Sequence, residues 1–146
     1  MRLAALVVLA FLPLAAAPRD KWNVAYLYDE DQFSLALRAI EFPSDQRGIA
    51  IGVLNEKGHP RPVALVTADG GKTWDQVRLK DEPIALACFT DEVCWISTGR
   101  GVWRSDEGGR DWKKVSDTKG ILRMQFTSAN EGFAAGARKS AWETKD

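Results

Sequence analysis

Thr67-Ala68-Asp69-Gly70-Gly71-Lys72-Thr73-Trp74 and Ser105-Asp106-Glu107-Gly108-Gly109-Arg110-Asp111-Trp112 carry one pattern: hydroxyl, any residue, acid, any residue, Gly, two residues, Trp. They begin 38 residues apart (105 − 67), and Thr144-Lys145-Asp146 opens a third copy 39 residues further on (144 − 105). A motif returning at that period marks stacked supersecondary units, none of which buries its apolar face alone. Each position has a local task. Gly-Gly after the acid permits positive φ in a tight corner. The acid (Asp69, Glu107, Asp146) accepts backbone N–H groups, and the hydroxyl (Thr67, Ser105, Thr144) closes a second local bond. The tryptophan then packs against a neighbouring unit. Thr67, Asp69, Gly71, Thr73, Trp74, Ser105, Glu107, Gly109, Trp112, Thr144 and Asp146 are therefore read as structural motif residues, and no catalytic residue is assigned.

Working outward, three segments align without gaps: Phe42–Gly52, Phe89–Gly99 and Phe126–Gly136. This alignment places Trp95 where the other copies have Gly48 and Gly132. Apolar strand candidates precede each Phe (Leu37–Phe42, Ile84–Phe89, Ile121–Phe126). Others follow each terminal Gly (Val63–Val66, Val102–Arg104, Ala141–Glu143), and the motif leads into a fourth (Thr73–Leu79, Asp111–Val115). Four short strands per unit, joined by Gly and Asx turns, predict an all-β fold of propeller blades. The units fall at about 35–80, 81–118 and 119–146, the last incomplete, after a lead-in over 18–34 with a strand at Val24–Tyr28. Asn55–Pro62 reads as a long loop in the first unit. Since propellers close with typically 4–8 blades, the register at Thr144–Asp146 points to an N-terminal fragment of a larger ring.

The first motif matches at every defined position the Asp-box of the BNR repeat, Ser/Thr-x-Asp-x-Gly-x-Thr-Trp. The second departs from it with Glu107 and Asp111. Together with Gly132-Phe133-Ala134-Ala135-Gly136, the pattern over Leu37–Asp146 resembles the photosystem II stability/assembly factor type of propeller repeat. That resemblance implies an exported binding or assembly scaffold with a protein partner and no chemistry of its own. Asp-boxes also occur in sialidases, other glycoside hydrolases and sorting receptors, so the alternative is the N-terminal part of a sialidase-like or other Asp-box glycoside hydrolase. Such an enzyme would use an arginine triad and a Tyr/Glu pair. Here Arg61-Pro62 lacks the Ile of an Arg-Ile-Pro signature, and Tyr26, Tyr28 and Glu30 read better as a strand and its solvated turn.

Composition excludes other classes. The formal net charge is zero, which argues against a nucleic-acid footprint. Arg100, Arg104, Arg110, Lys113 and Lys114 alternate with Asp106, Glu107 and Asp111, as on a mixed solvated face. The single His59 lies between Gly and Pro, without a nucleophile or metal-ligand spacing beside it, so no cofactor or metal is expected. Arg2, the apolar run Leu3–Leu14 and Ala15-Ala16-Ala17 read as a signal peptide over 1–17, too short to span a membrane. No span is expected after its cleavage, and the mature chain is expected to be periplasmic or extracellular. In that compartment Cys88 and Cys94 would face each other across a hairpin as a disulfide. Two buried free thiols are the other reading.

Overall fold

Three antiparallel sheets follow one another along the chain in a computed structural model describing residues 23–145 except 29, 32, 138 and 139. The leader read over 1–17 and Asp146 of the third motif lie outside the described residues. The first sheet is β1 (Phe33–Glu41), β2 (Gly48–Glu56), β3 (His59–Thr67) and β4 (Asp75–Arg78), in that spatial order. The second repeats it with β5 (Pro83–Cys88), β6 (Cys94–Thr98), β7 (Gly101–Ser105) and β8 (Lys113–Ser116). The third holds β9 (Ile121–Phe126), β10 (Gly132–Gly136) and β11 (Ala141–Thr144). The first strands of the units lie side by side, β5 between β1 and β9, and each sheet steps outward from there. This is the all-β blade architecture expected from the sequence, and no helix occurs among the described residues.

The Asn55–Pro62 stretch is not a loop. β2 and β3 run through it in register from Gly48↔Thr67 to Glu56↔His59 and turn at Lys57–Gly58. Both corner residues have positive φ, 52° and 87°, which is the geometry that matches a hairpin's twist. Pro60 and Pro62 fit here because β4 pairs only with Val63–Val66, leaving the start of β3 as an edge where no proline N–H is needed.

Val24–Tyr28 is not a strand either. It makes no ladder, and Val24 and Leu27 are 80% and 73% exposed. It touches the first sheet through side chains, with Tyr26 edge-on to Trp74 and Tyr28 tilted against Phe33. A turn closed by the Phe33 N–H donating to the Glu30 carbonyl then delivers the chain into β1.

The strand registers shift the repeat alignment of the second unit by one residue. Gly48 pairs with Thr67, Gly132 with Thr144, and Cys94 with Ser105. Cys94, not Trp95, therefore occupies the glycine position, and Cys88, not Phe89, stands for Phe42 and Phe126. In the outer units the Phe ring lies over the Gly. A Cβ on Gly48 would sit 2.6 Å from the Phe42 ring, and one on Gly132 would sit 2.7 Å from the Phe126 ring. In the second unit the Cys88 and Cys94 sulfurs fill that corner, 2.12 Å apart.

Apolar residues collect in the seams between sheets. Ile49, Ile51, Ala64 and Val66 of the first sheet meet Leu86, Cys94, Ile96 and Trp112 of the second in one buried cluster, with Leu79 among them. A smaller cluster of Trp95, Val102 and Ile121, backed by Met124, Phe126, Ala134 and Trp142, joins the second sheet to the third.

Candidate interaction site

In the first motif every polar atom type turns inward to its own corner. The Thr67 hydroxyl donates to Asp69 Oδ1 at 2.8 Å and accepts from the Asp69 and Gly71 N–H groups at 3.3 and 2.9 Å. The Asp69 carboxylate also accepts from the Thr73 N–H at 2.9 Å and from its hydroxyl at 2.6 Å. The Thr73 side-chain and backbone bonds, followed by the Thr67 hydroxyl, hold the Asp69 pKa at about 2, so the group stays an anion. The Trp74 indole N–H donates to the Gly71 carbonyl at 3.0 Å.

The second motif keeps half of this scheme. Ser105 Oγ accepts from the Glu107 and Gly109 N–H groups at 3.2 and 2.9 Å, and the Trp112 indole donates to the Gly109 carbonyl at 2.8 Å. Glu107 is exposed, and Asp111 replaces the hydroxyl that Asp69 uses in the first copy. Both corners are latched by a contact that the motif itself does not announce. The Gly70 N–H donates to the Gln46 carbonyl, and the Gly108 N–H to the Glu92 carbonyl, each at 2.9 Å. At these corners Gly70, Gly71, Gly108 and Gly109 have φ between 61° and 85°.

The glycosidase candidates are spread apart or otherwise engaged. The Tyr26 hydroxyl receives a 3.4 Å bond from Gln76 and its ring packs on Trp74. Tyr28 has its pKa raised by partial burial and then by Glu30 and Glu56, the opposite of what activates a phenol as a nucleophile. Arg61 pairs with Glu56, and His59 is exposed at the hairpin tip. No three His, Cys, Asp or Glu side chains are grouped to hold a metal among the described residues. The basic cluster is mostly paired: Arg100 with Asp81, Arg104 with Asp106, Arg110 with Asp75 and Lys114 with Asp117.

A concave feature lies at the seam between the second and third sheets. Trp95 stacks flat on Phe126, with ring centroids 3.5 Å apart and planes within 3°. Arg104 lies over the Trp95 ring, 5.3 Å from its centroid, and donates to the Ala129 carbonyl and Asp106 Oδ1, each at 2.8 Å. Ser97 ties the sheets together by donating to the Ile121 carbonyl at 3.0 Å while accepting from the Ala85 N–H. Outward from this stack the sheets diverge around a cleft of about 550 Å³, walled by Val102, Arg104, Val115, Met124 and Trp142 among others. Neither Arg104 nor Trp95 was singled out as a site residue from the sequence. The sequence reading puts Arg104 on a solvated face and Trp95 at a glycine position, and the one-residue offset hides which side of β6 Trp95 shares with Arg104, its partner on β7.

Two four-stranded antiparallel sheets and a three-stranded one, with side-by-side inner strands and a motif corner closing the first seam, define a β-propeller fold. Solved structures of the same kind support it: YCF48 bound to D1 peptide aligns with a TM-score of 0.61 and 17% identity over 82% of this chain and 42% of that one. YCF48 from Cyanidioschyzon merolae gives 0.60 and 20% over 76% and 34%, and the GH74 enzyme of Niastella koreensis 0.56 and 16% over 75% and 21%. At these identities the likeness is one of fold. Among curated sequences, the vacuolar protein sorting/targeting protein 10 of Neosartorya fischeri is 33% identical over 75 residues, 45% of this chain. Its counterpart in Aspergillus clavatus is 27% identical over 74 residues, 44% of this chain. The matched stretch spans 5% of each of these relatives. No family model matches the chain.

Proposed function

We propose that the chain is part of an exported, non-catalytic β-propeller module that binds a protein partner as a scaffold, resembling photosystem II assembly factor-like proteins in role. The observation that carries this reading is the fate of the motif's polar groups. The Thr67 hydroxyl and the Asp69 carboxylate both bond within their own corner, which leaves the Asp69 anion holding backbone rather than substrate. Support for a polypeptide partner comes from the likeness to YCF48, whose structure was solved bound to D1 peptide. Support for export comes from the apolar leader over 1–17 and from the bonded sulfurs of Cys88 and Cys94, a pairing kept in oxidising compartments. Two measurements test the reading on protein expressed with its native leader. N-terminal sequencing of the exported material should place the mature start near Ala16–Pro18. The same material should release no product from sialoside or xyloglucan reporters. Hydrolysis abolished by Tyr26→Phe or Glu30→Gln would replace this reading with the glycosidase one.

A further inference from the structure

The turns β1–β2, β5–β6 and β9–β10 solve one packing problem in two ways. In the first unit the Phe42 ring lies over Gly48 and meets Trp74 edge-on, centroids 5.9 Å apart. One apolar side chain thereby ties the turn to the motif corner. The third unit repeats the pair with Phe126 over Gly132. Those ring contacts have no oxidised and reduced form. The second unit places Cys88 and Cys94 there, opposite each other in the ladder, and fills the corner with a bond that thiol–disulfide exchange opens and closes. The repeat therefore does not require a disulfide at this position, and the second unit alone carries one.

The sulfurs enclose the turn that holds the second motif. The Phe89 N–H donates to the Val93 carbonyl at 2.9 Å, and Thr90 Oγ1 accepts from the Glu92 and Val93 N–H groups at 3.3 and 3.0 Å. The Glu92 carbonyl of this turn receives the Gly108 N–H, and a Cβ on Gly108 would lie 2.9 Å from the Asp91 carbonyl oxygen. The next residue, Gly109, covers the first seam: a Cβ there would lie 2.8 Å from Ile49 and 3.0 Å from Val66. Turn, corner and seam form one line of contact that begins at the disulfide. We propose that Cys88–Cys94 is a redox-operated lock on the second motif corner, and that reduction frees this corner while the strand ladders stay paired. A dithiol opens the lock. Its thiolate bonds to the half-buried Cys88 sulfur, and the buried Cys94 leaves as a thiolate and takes up the proton. The reductant's second thiol gives up its own proton, bonds to its first sulfur and releases Cys88, which takes that proton. The protein ends with two thiols and the reductant as a cyclic disulfide.

This inference goes beyond the scaffold reading and concerns the corner whether or not a partner binds. Its test is hydrogen exchange on the full chain before and after dithiothreitol, with alkylation and mass measurement to count free thiols. Reduction should speed exchange of the Gly108 amide about tenfold, together with that of the Trp112 indole N–H, which donates to the Gly109 carbonyl. Gly70 and the Trp74 indole, the same groups in a unit without cysteines, are the internal reference and should not change. Cys88→Ser/Cys94→Ser should show the fast exchange with or without the reductant. Cys88→Phe/Cys94→Gly should show the slow exchange in both conditions. A Gly108 rate unmoved by reduction overturns the proposal, as does an equal rise at Gly70, which would mean that the sheets open together. A disulfide left intact in the folded chain by about 10 mM dithiothreitol overturns it as well.

Discussion

Thr67 is the residue on which the first corner turns. It is buried, and its hydroxyl serves one acceptor and two backbone donors. Thr67→Val keeps the shape and leaves those groups without their partner, at an expected cost of about 1–3 kcal/mol, read as a lower urea midpoint. Thr67→Ser should be close to neutral. Asp69 brings a pH dependence whose sign is set by its depressed pKa. The stabilisation is in place above the ordinary value of 3.8 and fades as pH falls toward about 2. Since Thr73 is the largest cause, Thr73→Val should raise the Asp69 pKa and move the acid loss of stability to higher pH. A carboxylate-detected NMR titration reads this directly, and an unmoved midpoint would count against the hydrogen-bond explanation.

At the scale of elements, the hairpin corners show what was legible in the chain and what was not. The motif spacing was readable because corner chemistry is local: a hydroxyl, an acid and two glycines bond within a few residues of one another. The register of the second unit was not. Matching Phe89 to Phe42 and Phe126 follows the letters, while the ladder follows Cys94↔Ser105 and puts Cys88 in that place. Nothing local reveals that a pair of sulfurs and a Phe over a Gly are alternative fillings of one corner. This equivalence makes a prediction. The double variant Cys88→Phe/Cys94→Gly rebuilds the corner used in the first and third sheets and should stay folded under reducing conditions. Cys88→Ala/Cys94→Ala, which leaves the corner empty, should lose about 2 kcal/mol relative to the oxidised parent. Thermal melts of the two variants, with a mass check on the parent's disulfide, distinguish these outcomes.

For the whole molecule, stability is concentrated in the seams rather than within single sheets. Trp112→Ala removes the largest side chain of the first seam and should cost about 3–5 kcal/mol. Hydrogen exchange should accelerate on both sides of that seam, at Ile49–Ile51 and at Ile96, because one ring supports both. Exchange that rises only around Trp112 would show the two sheets to be independent. The same substitution at Trp74, half-buried and facing Phe42 and Tyr26, should cost less. Seam charges were illegible in the chain for a simple reason. That Arg110 faces Asp75, and that Lys113 stands at the equivalent place, emerges only after the registers of two different sheets are known.

The placement of Trp112 also has a consequence in time. The corner it belongs to, whose Gly109 sits against Ile49 and Val66, comes from the following repeat, so the first sheet can pair all its strands and still show an uncovered face. As the chain is made, that face waits on the order of seconds for the later segment to arrive. Maturation of each unit is therefore completed by its successor. A pause or cut between β4 and Trp112 would yield a hydrogen-bonded but sticky intermediate, the kind of species that folding helpers in the compartment of assembly are suited to hold.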